Sequence, residues 1–315
     1  MTLTQIEYIL AISENGSFVE AAKKSCVTQP ALTTQVKNLE EELGVMIFDR
    51  TKKPIRPTII GKRIIEQAKN VIIEARKMRD LVQEYQKIEK GDLSIGVIPT
   101  VSPYLVPLFV NKFKDNNEGV NISIQEDTTE KIIRKLKNGK IDVGIISTPI
   151  TTTGIVSIPI YYEKFYAYVS RDSEGYSIPE IKISELSIED VWLLKEGNCF
   201  RDQVINICSG DKITRFKDNF RFQSHSIQSL KRIVDVSNGI TLIPEMSILD
   251  VRGNNRDMVK ALSGEQPMRE ISLVVTRQFL KRRIIDRLLY CIQDSLPKNI
   301  KENVGENIVD PQIIF

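Results

Sequence analysis

With 315 residues, 44 Lys+Arg against 41 Asp+Glu and a net charge of +3, the chain is long enough for two or three domains with cores of their own. It has no run of eighteen apolar residues, and it opens on Met1-Thr2-Leu3-Thr4-Gln5-Ile6-Glu7 without a basic stretch and an apolar block. That pattern excludes a membrane-spanning helix and a secretory signal, so a cytoplasmic protein with no membrane partner is expected. Four cysteines (Cys26, Cys199, Cys208, Cys291) without a CxxC pair, and a single histidine, give no reason to expect zinc or a cofactor. The charge excess is local. Residues 1–90 carry 15 basic and 12 acidic side chains, while the rest carry 29 of each, so an anionic partner is expected for the first part only.

Ile6, Ile9 and Leu10 predict a first amphipathic helix, and Phe18, Ala21 and Ala22 a short second one after Gly16-Ser17. A third helix begins at Thr28, a good N-cap, with Pro30 in its first turn. Leu32, Val36, Leu39 and Leu43 define its buried stripe, and Gln29, Thr33, Thr34 and Lys37 its polar face. Two short helices, a tight turn at Cys26-Val27 and a polar-faced third helix make a helix-turn-helix, with Gln29 and Thr33 placed to read base edges. The stretch Asp49-Arg50-Thr51-Lys52-Lys53-Pro54-Ile55-Arg56-Pro57 fits a wing whose Arg50, Lys52, Lys53 and Arg56 grip phosphates. The plain alternative is a small helical module with a solvated basic loop. From Thr58 to about Glu89, Ile64, Ala68, Val71, Ala75, Met78, Val82 and Tyr85 recur at heptad spacing. This predicts a contact between two subunits, with Arg63, Lys69, Arg76 and Lys77 around the seam. A helix packed on its own domain is the alternative.

These residues carry a resemblance. The run Ala21-Ala22-Lys23-Lys24-Ser25-Cys26-Val27-Thr28-Gln29-Pro30-Ala31-Leu32-Thr33 is followed by Leu39-Glu40-Glu41-Glu42-Leu43-Gly44 and Phe48-Asp49-Arg50. Together they resemble the DNA-binding domain of LysR-type transcriptional regulators. The resemblance implies an all-α winged helix-turn-helix domain and a long dimerising linker helix. It also implies a two-lobed α/β effector domain of periplasmic-binding-protein type, double-stranded promoter DNA as partner, a homo-oligomer (a dimer of dimers) and contact with RNA polymerase.

Beyond Gly91-Asp92 the pattern turns to short β-branched runs: Leu93 to Ile98, Val120 to Glu126, Ile141 to Ile146, Phe165 to Ser170, Val191 to Lys195, Gly239 to Ile243 and Ile271 to Thr276. Helical stretches lie between them, at Tyr104 to Phe113, Glu130 to Asn138, Ile227 to Val236 and Leu280 to Ile292. This composition predicts α/β layers with a largely parallel sheet and two lobes, joined by crossings near Tyr161–Glu163 and Gln266–Arg269. The expected division is 1–58 for the DNA-binding domain and 59–90 for the linker helix. Residues 91–161 with 268–296 form one lobe, 162–267 the other, and 297–315 a tail. Thr100 and Thr129 follow strands at their carboxyl ends, where ligands bind in open α/β sheets, although local sequence favours simple helix capping for both.

The stretch from Glu196 to Cys208 places two thiols nine residues apart, with Arg201 close to the first. Gly197-Asn198 reads as a turn and N-cap, which puts Cys199 at a helix N-terminus beside a guanidinium, a setting that favours thiolate. Val204, Ile205 and Cys208 share one side, so the second thiol is expected inside. A helix over this stretch separates the two Cα atoms by about 13–14 Å. A disulfide needs roughly 4.4–6.8 Å, so bonding the pair requires unwinding. Two ordinary buried thiols are the alternative.

Ile98-Pro99-Thr100-Val101 with Pro103-Tyr104-Leu105, and Cys199-Phe200-Arg201-Asp202-Gln203 with Cys208, are similar to the hydrogen-peroxide-sensing branch of the LysR family. That resemblance implies an activator that responds to hydrogen peroxide, with Cys199 peroxidatic and Cys208 resolving. Thr100, Thr129, Asp202 and Arg269 match pocket positions, and Arg201 or Arg269 would hold the thiolate. Asn198 departs from the histidine of the pattern, and the segment 209–219 is about three residues longer. Cys26 and Cys291 are expected to be packed, His225 to cap a helix or face solvent, and Tyr161 and Tyr162 to pack at the lobe junction. The rival readings are a LysR-type regulator binding a small metabolite, a thiol peroxidase rather than a transcription factor, and an architectural DNA-binding protein.

Overall fold

The computed structural model describes residues 1–85, 90–186, 188, 191–208, 222–251, 253–277 and 281–311. The chain divides into two compact units, Met1–Ile88 and Glu89–Phe315.

The first unit is built from α1 (Leu3–Asn15), α2 (Phe18–Lys24), α3 (Gln29–Leu43), a hairpin of β1 (Phe48–Asp49) and β2 (Arg56–Pro57), and α4 (Ile59–Tyr85). Each start has its cap. Thr2 and Gln5 form a capping box, Ser17 accepts from Glu20 N, and Thr28 accepts from Ala31 N. Gly16 and Gly44 close α1 and α3 in the left-handed region. Gly61 has a separate role: a Cβ there would lie 2.0 Å from the Ile47 carbonyl oxygen, so only glycine lets the first turn of α4 seat on that segment. Ile6, Ile9, Ile12, Phe18, Ala21, Leu32, Val36, Leu39, Phe48, Ile65 and Ala68 form the core.

Several expectations change here. Leu43 is exposed, and the fourth buried position of α3 is Glu40. Its carboxylate accepts from the amides of Ile47 (2.8 Å) and Phe48 (3.2 Å) and from Arg50 Nη2 (2.6 Å), tying the wing to α3. Cys26 is exposed, with φ +54 in the turn before α3, rather than packed. The heptad seam splits. Ala68 is buried with Ile65 and Ile72 on the unit's own core, whereas Val71, Met78, Leu81 and Val82 are exposed. The side chains of Arg76 and Tyr85, and residues 86–89 at the expected end of the linker, lie outside the described residues.

The second unit contains β3 (Gly91–Val97), α5 (Ser102–Asp115), β4 (Val120–Glu126), α6 (Thr129–Lys137), β5 (Val143–Thr148), β6 (Ile155–Val169) and β7 (Glu180–Lys182). It continues through α7 (Cys199–Ile207), α8 (Ile227–Val236), β8 (Ile240–Pro244), β9 (Val259–Ser263), β10 (Met268–Thr276), α9 (Arg282–Ser295) and the short α10 (Lys298–Lys301). The strand order is β4-β3-β5-β10-β6-β9-β7, with β8 also paired to β6. The sheet is mixed rather than largely parallel. β3 pairs with β4 and β5 in parallel, but β10 is antiparallel to both β5 and β6, and β6 to β8 and β9. The reason is that β6 runs on through fifteen residues and β10 returns beside it, so the crossings are themselves sheet. Expected strand Val191–Lys195 is reduced to a single bridge between Val191 and Ile240, while β7 and β9 had no counterpart in the sequence reading. Leu280, the expected start of the closing helix, lies outside the described residues.

Buried apolar side chains form two cores. One draws on residues from Leu93 to Tyr161 and from Ile271 to Ile300, the other on Phe165 to Leu262. Cys199 and Met246 lie within the sequence span of the second core but pack in the first.

The Glu40 cluster gives a test. Replacing Glu40 by Ala strands two buried amides, at a cost of about 3 kcal/mol to the local fold. Hydrogen exchange at the Ile47 and Phe48 amides is expected to accelerate about a hundredfold, with exchange in the second unit unchanged.

Candidate thiol site and nucleic-acid interface

Helix α7 starts at Cys199 because Gly197, at φ +86, turns the chain and Asn198 takes the extended N-cap conformation. The Asn198 side chain does not cap, contrary to expectation. Its Nδ2 donates to the Lys195 carbonyl (2.8 Å) and meets His225 Nδ1 (2.7 Å), so the single histidine is engaged beside the thiol helix. Cys199 is buried, and the Thr129 hydroxyl donates to its sulfur across 3.6 Å. Thr129 is the first residue of α6 and Thr128 the N-cap, so Thr129 is free of the capping role. Thr100 likewise does not cap: Val101 occupies the N-cap of α5.

Thr100 instead receives Arg269, whose Nη1 donates to the Thr100 hydroxyl (3.1 Å) and whose Nη2 donates to its carbonyl (3.2 Å). Arg269 has no exposed surface. Its charge is met by Glu163, also fully buried, at 2.8 Å, with Nε donating to the same carboxylate at 2.9 Å. The two are direct cross-strand partners on β10 and β6. The second oxygen of Glu163 accepts from Met246 N (2.9 Å), and the guanidinium lies 5.0 Å over the Phe200 ring. Thus Arg269, Thr100, Thr129 and Cys199 come together, held by a carboxylate that the sequence reading named only as a crossing point. A glutamate inside the apolar run Ile160-Tyr161-Tyr162-Glu163-Lys164-Phe165 was the available signal.

Arg201 is not the partner of the thiol: its Nη1 donates to the Leu194 carbonyl (3.1 Å). Asp202 is half-buried, its carboxyl pushed up by burial against the lowering effect of Arg201. Burial also pushes the Cys199 thiol up, against the Thr129 hydroxyl, Arg269 and the Phe200 amide, which all lower it. The expectation of a helix-end thiolate therefore fails in this conformation, because desolvation outweighs the local dipoles. Cys208, at the C-cap of α7, is buried in the second core and its thiol is pushed up to about 11. Ile207 rather than Ile205 packs beside it. Neither cysteine is in a disulfide.

Gln203, one turn below Cys199, is a residue that sequence reasoning passed over. It is fully buried; its Nε2 donates to Ser147 Oγ (3.3 Å) and to the Val309 carbonyl (2.7 Å). Residues 209–219 lie outside the described residues. Cys291 is buried on α9, and Tyr161 donates to Glu163 at the lobe junction.

In the first unit, Gln29, Pro30, Thr34 and Lys37 are exposed on α3, and Thr33 is half-buried. Thr34 bonds back to the Pro30 carbonyl, Lys37 pairs with Glu41, and Thr28 serves as the cap. On the wing, Arg50, Lys52, Lys53 and Arg56 are all exposed, with Arg50 paired to Glu40 and lying over the Phe18 ring and Lys52 paired to Asp49.

Residues 3–62 match the family described as bacterial regulatory helix-turn-helix protein, lysR family, and residues 86–297 match the LysR substrate binding domain. The hydrogen peroxide-inducible genes activator of Haemophilus influenzae is 29% identical over 298 residues, 94% of this chain and 97% of its own. That of Pectobacterium carotovorum is 30% identical over 279 residues, 87% and 90%. Among solved structures, full-length OxyR from Pseudomonas aeruginosa is similar with a TM-score of 0.73 and 29% identity, covering 93% of this chain and 98% of its own. Reduced OxyR from Porphyromonas gingivalis matches with a TM-score of 0.61 and 28% identity, covering 69% and 99%. The chain belongs to the LysR family of bacterial helix-turn-helix regulators, alongside its OxyR-type hydrogen peroxide-inducible activators.

Proposed function

We propose that this regulator binds promoter DNA through α3 and the wing, and senses hydrogen peroxide through Cys199. The observation that carries the reading is a buried thiol whose sulfur accepts from Thr129, next to the Arg269–Thr100 pair, with a second buried thiol at the far end of the same helix. Peroxide has little shape to recognise, so fixed donors must orient it and protonate the departing oxygen. Thr100 and Thr129 supply hydroxyls, Arg269 supplies charge, and Asp202 with Arg201 borders the start of the helix.

In the first step the Cys199 sulfur attacks one peroxide oxygen. The O–O bond breaks, and a sulfenic acid and one water result. In the second, the Cys208 sulfur displaces the sulfenic oxygen as a second water, leaving a Cys199–Cys208 disulfide. Two thiols are oxidised and one peroxide is reduced, so this is a sensing step rather than turnover. Helical α7 keeps the two Cα atoms about 13–14 Å apart, so the bond forms only as the helix unwinds. Cys199 leaves the first core as this happens, and a bistable element of that kind passes the signal to the subunit arrangement. The exposed Val71, Met78, Leu81 and Val82 of α4 suit a contact between subunits. A dimer of dimers in the cytoplasm, acting on RNA polymerase from the promoter, completes the reading.

Peroxide at one equivalent is expected to give a Cys199–Cys208 disulfide in peptide mapping by mass spectrometry, and Cys199→Ser to abolish it together with peroxide-dependent promoter output. An unmodified Cys199 would rule the reading out.

The pH dependence follows from the raised thiol. Below its pKa the thiolate fraction grows about tenfold per pH unit, so the peroxide rate should climb from pH 7 to 8.5 without a plateau. Thr129→Val removes a donor to the sulfur, lifts the thiol further and should slow the reaction about tenfold at pH 7. A plateau below pH 8 in stopped-flow oxidation contradicts this.

For DNA, Gln29→Ala is expected to cost about 1–3 kcal/mol at the operator and little elsewhere. Lys53→Ala should weaken all sequences alike and reduce the salt slope by about one. Fluorescence anisotropy against operator and scrambled duplexes separates the two.

A further inference from the structure

The family match in the second unit ends at residue 297, yet the chain continues. The residues beyond it are bound to the thiol helix. After α10, whose Ile300 is buried in the first core, Asn303 donates to the Tyr162 carbonyl (3.0 Å) and to Glu245 (2.8 Å). Asn307 then takes φ +49, and the chain runs alongside the start of β10. Met268 N donates to the Asn307 carbonyl (3.1 Å), Val309 N donates to the Met268 carbonyl (2.9 Å), and Ile308 bridges Met268. Val309 packs against the second core. Its carbonyl accepts from Gln203 Nε2 (2.7 Å), and the next carbonyl, Asp310, accepts from Asn206 Nδ2 (3.1 Å).

Gln203 and Asn206 both lie between the two thiols on α7. Met268 directly precedes Arg269, so one short segment joins the strand carrying the site's cation to the helix carrying both sulfurs.

We propose that residues 307–310 are a positioning strap for the Cys199–Cys208 reaction: through Gln203 and Asn206 they hold α7 wound and oppose closure of the disulfide. The inference rests on the peroxide reading above and adds the element that sets the rate of its second step. The strap touches neither sulfur. It leaves attack on peroxide unaffected and acts only on the unwinding that brings Cys208 to the sulfenic acid, in which the S–O bond breaks, the S–S bond forms and water leaves.

The experiment uses the full-length chain, a chain ending at Val304, and the point variants Val309→Asp, which puts a charge against the second core, and Val309→Ile, which keeps the packing. Each is mixed with hydrogen peroxide. Sulfenic acid is followed with a trapping carbon nucleophile, and disulfide by quenching and mass spectrometry. Sulfenic acid is expected to form at equal rates in all four. Disulfide closure should rise about tenfold in the truncated chain and in Val309→Asp, the worth of one or two neutral hydrogen bonds, and stay unchanged in Val309→Ile. Should the truncated chain fail to fold, Val309→Asp carries the test alone. Equal closure rates in the full chain and the altered ones overturn the strap but leave the peroxide reading standing. Absence of sulfenic acid at Cys199 in the full-length chain overturns that reading and the strap with it.

Discussion

Among the described residues of the second unit, one ion pair is fully buried, and the fold there depends on it. Glu163 and Arg269 face each other on the two antiparallel strands that join the cores, and neither has any exposed surface. Two charges out of water cost several kcal/mol each unless their remaining donors and acceptors are met, and breaking such a pair costs about 3–5 kcal/mol. Here they are met: Thr100 takes two guanidinium nitrogens, and the Met246 amide takes the free carboxylate oxygen. The same geometry pairs the two crossing strands and ties them to Thr100, just beyond the end of β3. Fold stability and site geometry therefore share one constraint.

Much of this architecture is written locally. The caps at Thr2, Ser17 and Thr28 and the apolar spacing of α1 to α3 mark the helix-turn-helix because those signals act within a few residues. The strands around Leu93, Val120 and Ile271 are equally plain as apolar runs. The direction of β6 and β10 is not, since antiparallel pairing between residues about a hundred positions apart leaves no mark in either segment. Leu43 shows the limit of periodicity. It continues the stripe of α3 in the sequence, but the wing's amides claim that side of the helix and need Glu40 instead.

The thiol site divides in the same way. Cys199, Cys208, Thr100, Thr129 and Arg269 could be named from the chain, and the structure brings four of them together, with Cys208 apart in the other core. Arg201 was the natural partner by proximity in sequence. A helix turns neighbours to different sides, however, and Arg201 goes to the Leu194 carbonyl while Arg269, seventy positions on, reaches the site. Glu163 left only the mark of a carboxylate within an apolar run, while Gln203 and the segment 307–310 left none, because their contacts exist only across the fold.

Desolvation of Cys199 has a consequence for how a sensor of this design works. Burial that favours the neutral thiol makes it quieter toward general electrophiles, because the thiolate is the nucleophile. Reaction then depends on what else is fixed in the site. In the proposed reaction a small peroxide would draw on the Thr129 and Thr100 hydroxyls and the Arg269 charge, and preorganised donors of that kind act most strongly where water is excluded. On that reading, selectivity comes from burial and rate from the donors that burial brings close. The same burial places Cys199 and Cys208 in different cores. The proposed disulfide between them would therefore require giving up packing on one side, so the oxidised state would be a different structure rather than a modified copy of the same one.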